Sequence, residues 1–206
     1  MSGLFITFEG IEGCGKSTQA TLLAKRLEAE GRKVVVTREP GGTVTGEQIR
    51  SIVLDPANTG IKPVTELLLY AASRAQHVDE LIRPALASGA IVVCDRFADS
   101  TMAYQGAGRA LERGCIQQAH DLATHGTWPD LTILLDLPAE AGLERARAMR
   151  ELDRIEAEPL AFHRAVRNEF LRIAEHDPIR VRTIDAMRSV DDIAGIVWRI
   201  VEPHLP

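Results

Sequence analysis

The chain has 206 residues, 45% of them hydrophobic and 26% charged, with a formal net charge of −5 at pH 7. That length suits one well-filled α/β domain and is short for two, and the composition is that of an ordinary globular chain. The acidic balance argues against a dedicated nucleic-acid surface, and no apolar run approaches the ~18 residues of a membrane span. The three cysteines, Cys14, Cys94 and Cys115, are widely spaced and odd in number, so no disulfide framework is expected and a reducing compartment is. No signal-peptide pattern precedes the first apolar run, and the expected location is cytoplasmic. The six histidines show no metal-ligand spacing. Of the 24 basic residues 20 are Arg, a skew that suits phosphate binding or reflects codon composition.

The first element is an apolar, β-rich run from Phe5 to Phe8. Gly10-Ile11-Glu12-Gly13-Cys14-Gly15-Lys16-Ser17 follows, and it fits the phosphate-loop pattern of Gly, four residues, Gly-Lys and Ser or Thr. A helical pattern over 16–30 comes next. A strand feeding a glycine-rich turn that opens a helix aims successive backbone N–H groups at one anion. Gly13 and Gly15 can take the positive φ that such a turn needs. Lys16 then reaches the β- and γ-phosphates, and the Ser17 hydroxyl ligates Mg²⁺. The chain is expected to bind a nucleoside triphosphate through residues 10–18, Thr18 included.

A second strand over Val34–Thr37 runs into Arg38-Glu39-Pro40-Gly41-Gly42-Thr43. Pro-Gly-Gly is strong turn chemistry by itself, while Glu39 at a strand end could hold a sugar hydroxyl or an arginine. Helical patterns follow at 46–54 and 64–88. Within the longer one, Tyr70 and Arg74 are four apart and share a face. They read either as a core aromatic beside a solvated arginine or as a base-binding face.

A third strand, Ile91–Cys94, ends on Asp95-Arg96. Asp95 stands where a Walker-B carboxylate would orient Mg²⁺, and Arg96 could clamp a phosphate bidentately. An ordinary surface ion pair is the other reading. A helical pattern at 111–125 precedes the fourth strand, Leu131–Leu135, which ends on Asp136. The pattern at 139–150 then enters an arginine-rich stretch. Arg147, Arg150 and Arg154 fall at helical spacing, as a solvated face or as a lid that neutralises a phosphoryl group in flight. A helix at 159–176, a strand at Val181–Ile184 and a helix at 189–202 complete the chain. Buried strands alternating with helices predict an α/β fold of three layers: a parallel sheet of about five strands with helices on both faces, in one P-loop NTPase-type domain over 1–206. Ligands of such a sheet bind at the strand C-terminal ends.

Taken together these residues resemble the thymidylate kinase family. The likeness runs from Phe8-Glu9-Gly10 through Thr18, Thr37 to Thr43 with Gly46-Glu47 and Ile49-Arg50, and Tyr70-Ala-Ala-Ser-Arg74. It continues through Asp95-Arg96, Ser100-Thr101, Ala103-Tyr104-Gln105-Gly106, Pro129 to Thr132, and Leu152-Asp153-Arg154-Ile155-Glu156. Many families share the phosphate loop; Arg-Glu-Pro-Gly-Gly-Thr followed by Asp-Arg is far more specific. The resemblance implies a dTMP kinase with ATP as donor and Mg²⁺ as cofactor, which fits the reading of Ser17 and Asp95 as the metal's residues. It implies that Arg96 grips the dTMP phosphate, with Glu39 and Pro40 in the acceptor site. Arg74, Thr101 and Gln105 contact thymine, Tyr70 stacks on it, and Tyr104 crowds the place of a ribose 2′-hydroxyl. Glu12 lies near the acceptor's sugar and the transferring phosphate. Cys14 in the loop aligns the chain with members whose arginines lie in a lid, here about 142–157 with Arg150 and Arg154. Tyr70 stands where Phe is common and Phe97 where Tyr or His is usual. A homodimer is implied as well.

Two other readings remain. The chain could be another P-loop kinase, acting on a different nucleotide or on a nucleoside; a nucleoside acceptor would need a base, with Glu39 the candidate. A switch ATPase is disfavoured: there is no Asn-Lys-x-Asp motif, and Asp192 to Gly195, the only Asp-x-x-Gly, lies in the last helical pattern.

Overall fold

The computed structural model describes residues 3–149 and 151–206. Among them one five-stranded parallel sheet runs in the order β2-β3-β1-β4-β5. The strands are β1 (Leu4–Glu9), β2 (Val34–Arg38), β3 (Ile91–Asp95), β4 (Leu131–Asp136) and β5 (Val181–Asp185). Their apolar runs are nearly continuous because both faces of the sheet are covered. Leu4, Ile6 and Phe8 join one core beneath the C-terminal helices, while Phe5 joins Val92, Cys94 and Phe97 in another on the opposite face. Each strand extends one residue beyond its apolar stretch. Glu9, Arg38, Asp95, Asp136 and Asp185 therefore close the strands along one sheet edge.

The helices are α1 (Lys16–Ala29), α2 (Val44–Leu54), α3 (Pro63–His77), α4 (Arg83–Ala87), α5 (Ala98–Thr101), α6 (Arg113–Thr124), α7 (Ala139–Met149), α8 (Leu160–His176) and α9 (Val190–Val201). A π-helical turn at Val78–Ile82 joins α3 to α4, so the 64–88 pattern is one continuous rod. Another π-helical stretch, Met102–Gly108, extends α5. The sequence patterns contain no helix over 98–108, and that helix carries Thr101, Tyr104 and Gln105. Thr43 caps α2, its hydroxyl accepting from the Gly46 amide at 3.0 Å.

The lid stretch differs from its expected form. Helix α7 ends at Met149, and residues 151–159 form turns before α8 begins. Arg147 and Arg154 thus do not share a helical face; Arg150 lies outside the described residues. The spacing misled because it was a periodicity of charges, and only apolar burial enforces a helical period.

Candidate active site

The strand-end residues, the phosphate loop and the 98–108 helix meet around one cavity of about 430 Å³. The loop turns out of β1 through Gly10, Gly13 and Gly15, at φ of 135°, 68° and 94°. Gly13 also has no room for a side chain, since a Cβ there would stand 2.3 Å from the Gly142 carbonyl oxygen of α7. Gly142 is equally tight, its Cβ falling 2.5 Å from the Glu12 carbonyl oxygen. Lys16, buried in the loop, donates to the carbonyl oxygens of Gly10 (3.1 Å) and Ile11 (2.7 Å). Its ammonium therefore lies at the anion-facing centre of the turn.

At the end of β3 the Asp95 carboxylate accepts a hydrogen bond from Ser17 Oγ. Two hard oxygen donors meet here at the cavity wall, and among the described residues no cluster of His, Cys, Asp and Glu offers a rival metal cage. This donor set fits Mg²⁺, which takes one or two protein oxygens and keeps waters and phosphate oxygens for the rest. Arg96 has the left-handed φ of 71°, a strain that clusters at functional sites. Its guanidinium bonds to the Gly10 carbonyl (2.9 Å), Ser100 Oγ (3.2 Å) and Glu12 Oε1 (3.1 Å). The Tyr104 hydroxyl donates to the same Glu12 oxygen.

On the far side of the cavity, Arg74 is buried and its donors are largely committed. It bonds Glu39 Oε2 (2.8 Å), Thr101 Oγ1 (2.9 Å) and the Phe97 carbonyl (3.0 Å). Glu39 also meets His77 Nδ1 at 3.0 Å. Of the two partners read for Glu39, the structure gives it the arginine. Tyr70, half-buried, lines the cavity together with Pro40, Thr101, Tyr104 and Gln105. Asp136 does not line it; Arg167 of α8 takes that carboxylate at 2.7 and 2.9 Å.

Arg154 is buried rather than solvated. Its Nε donates to the Val53 carbonyl at 2.7 Å and its Nη2 to Glu66 Oε2 at 2.6 Å. Its neighbours Asp153, Ile155 and Glu156 line the cavity, as do Ala146 and Met149 of α7. The described residues of the 142–157 stretch thus contribute one cavity wall through Ala146, Met149, Asp153, Ile155 and Glu156.

Several residues here escaped the sequence reading. Glu9, at the end of β1, accepts from the Phe97 amide (2.7 Å), the Ser100 amide (3.3 Å) and Ser100 Oγ (2.6 Å). It ties the phosphate-loop strand to the start of the 98–108 helix. Burial, aided by Asp99, raises its carboxyl to about 7 against Arg96 and these hydrogen bonds. His163, on the buried face of α8, meets Glu12 Oε2 at 3.2 Å. Arg38 and Arg50 bring further positive charge to the cavity wall, Arg50 also bonding the Pro40 carbonyl at 2.9 Å. Glu9, Arg38 and Arg50 lie in the stretches that carry the resemblance, with no role assigned there, and His163 carried no signal in the sequence.

Residues 8–195 match the family model described as thymidylate kinase. The chain is 52% identical to thymidylate kinase of Trichlorobacter lovleyi, with 94% of each chain covered. It is 52% identical to that of Geotalea uraniireducens over 98% of each. The crystal structure of thymidylate kinase from Ehrlichia chaffeensis superposes with a TM-score of 0.80 at 34% identity, covering 98% of this chain and 99% of that one.

Proposed function

Since the chain belongs to the thymidylate kinase family and phosphorylates dTMP to dTDP with ATP as donor, we propose which of its residues do so. The loop 10–18 holds the ATP phosphates, Thr18 included, with Lys16 on the β- and γ-phosphates. Arg96 grips the dTMP phosphate, and Glu12 orients that arginine beside the acceptor's sugar. Arg74, Thr101 and Gln105 read the thymine, Tyr70 stacks on it, and Tyr104 fills the place of a 2′-hydroxyl. Glu39 and Pro40 frame the acceptor end. The observation that carries this reading is the single cavity lined by both the phosphate loop and the Arg74–Thr101–Gln105 group.

The nucleophile is a phosphate oxygen of dTMP. A phosphate monoester has a second pKa of about 6, so that oxygen is largely ionised at neutral pH and needs no general base. Glu39, bonded to Arg74 and His77, is not free to act as one. The task of the protein is to hold two polyanions in line and cancel their repulsion. Lys16 and Arg96 supply fixed positive charge for this, converging through their shared contact with the Gly10 carbonyl. We assign Mg²⁺ to Ser17 and Asp95, where it would neutralise the β- and γ-phosphate oxygens. The cavity wall made by the described residues of 142–157 is the lid, which shuts water from the transferring group.

A homodimer and a cytoplasmic location complete the proposal. Val64 and Leu68 are exposed one turn apart on α3, an apolar strip suited to a second copy. No described helix is long and apolar enough to cross a membrane. The testing experiment is Mg²⁺-dependent ADP formation with each nucleoside monophosphate in turn. dTMP should lead. dUMP, lacking one methyl group, should trail by a factor of ~10–200, and UMP should be worse than dUMP. If AMP, CMP or thymidine outperformed dTMP, the site assignment would be wrong.

A further inference from the structure

Glu66 lies in the first turn of α3 and is wholly buried. It does not line the active-site cavity, yet it accepts four hydrogen bonds from three side chains. Gln105 Nε2 donates at 2.8 Å, Arg109 Nε and Nη2 at 3.1 and 3.2 Å, and Arg154 Nη2 at 2.6 Å. Burial raises its carboxyl, and the bonds from Arg109, Gln105 and Arg154 outweigh that and hold it below the usual range. The group is therefore an anion, and an anionic carboxylate only accepts hydrogen bonds.

That restriction decides the orientation of Gln105. Only its amide NH₂ can face Glu66, so its amide oxygen must point elsewhere. The oxygen takes no bond from the described residues and is not sealed from solvent, and Gln105 lines the cavity. Without Glu66 the amide could turn over at little cost and present a donor to the cavity instead. A fixed acceptor complements a base with an N–H at ring position 3, as thymine and uracil have. Cytosine carries an acceptor there, and the two lone pairs would face each other.

We propose that Glu66 is a positioning residue for base selection: by locking the Gln105 amide, it makes the cavity prefer thymine over cytosine without touching the base. The proposal rests on the reading that this cavity takes the thymine of dTMP. It also gives Arg154 a role. With Arg109, which bonds Glu158 at 2.6 Å, Arg154 balances the buried charge and joins the lid to the base pocket.

The test compares kcat/KM for dTMP and dCMP in the wild-type enzyme, Glu66→Gln, Glu66→Asp, Gln105→Leu and the double variant Glu66→Gln/Gln105→Leu. Glu66→Asp keeps the charge that both guanidiniums require but cannot reach all its partners, and it serves if Glu66→Gln does not fold. Each single variant should lower the dTMP:dCMP ratio at least tenfold. In the Gln105→Leu background, Glu66→Gln should leave the ratio unchanged. A merely structural role for Glu66 would depress both substrates together and spare the ratio. An unchanged ratio in any folded single variant, or an undiminished effect of Glu66→Gln in the Gln105→Leu background, overturns the proposal. A wild-type enzyme that does not use dTMP overturns instead the functional reading beneath it.

Discussion

His163 Nδ1 of α8 stands 3.2 Å from Glu12 Oε2 in the phosphate loop, and both side chains are buried. The other Glu12 oxygen holds Arg96 and Tyr104. One acidic side chain between two loop glycines thus joins α8, the end of β3 and the 98–108 helix. Burial raises its carboxyl, but His163, Arg96, Lys16 and Tyr104 outweigh that and bring it to about 2. A depressed acid stabilises the fold above its unfolded value near 4.5, and that stabilisation disappears as pH falls toward about 2. It amounts to about 3 kcal/mol. Glu12→Gln should therefore flatten the acid limb of stability between those pH values in urea titrations. An unaltered limb would mean that Glu12 is not so held.

Glu9 has the opposite sign. Its carboxyl is raised to about 7, so between 4.5 and 7 the folded chain keeps a proton that the unfolded chain releases. Stability falls as pH rises through that window. Glu9→Gln has no charge to bury, so its stability relative to wild type should climb across the same window, by about 3 kcal/mol in all. A pH-independent difference between the two proteins would refute this.

Lys16→Ala should cut phosphoryl transfer at least ~100-fold, the scale of losing one preorganised charge or donor at a transition state. Its hydrogen bonds stay within the loop and α1, so the far-ultraviolet circular dichroism spectrum and Tm should change little. Turnover above about a tenth of wild type, far above that scale, would remove Lys16 from the transfer step.

Arg74→Ala leaves Glu39 buried with His77 alone. Deleting one partner of a buried ion pair costs about 3–5 kcal/mol, because the other charge remains uncompensated. The expected result is a large drop in Tm together with a weaker preference for dTMP over dCMP. If Tm held and only selectivity moved, Arg74 would be a base contact and not a structural member.

Arg154→Ala removes two hydrogen bonds, one of them to the buried Glu66 carboxylate. Bonds to charged groups contribute about 1.5–3 kcal/mol each, so denaturant stability should fall by at least about that amount. The KM for dTMP should rise as the base pocket loosens. A variant with normal stability, normal KM and a collapsed kcat would instead place Arg154 on the transferring phosphate.

The sheet was legible because burial on both faces demands uninterrupted apolar runs, and Ile91–Cys94 or Leu131–Leu135 can be little else. The phosphate loop was legible because its backbone conformation needs glycine at set positions. The 98–108 helix was not. Ala98-Asp-Ser-Thr-Met-Ala-Tyr-Gln shows no 3.6-residue apolar period, and its π-helical half shifts whatever period there is. Glu66 reads as an acid favouring the positive end of a helix; its three donors come from distant stretches that only tertiary structure assembles. His163 is likewise a lone histidine until α8 brings it to the loop. Glu66 and His163 thus brace the site from helices with no signal in the sequence, whereas Arg74, which braces Glu39 from α3, was already singled out there.

The contact of Gly13 with Gly142 constrains how this chain can change. Each missing Cβ would strike main-chain oxygen, of Gly142 in one case and of Glu12 in the other. Trimming a neighbouring side chain cannot make room for either, so no single compensating substitution opens a path away from glycine. Both positions depend on one close approach of α7 to the phosphate loop, so a side chain at either would require α7 to be reseated on the loop.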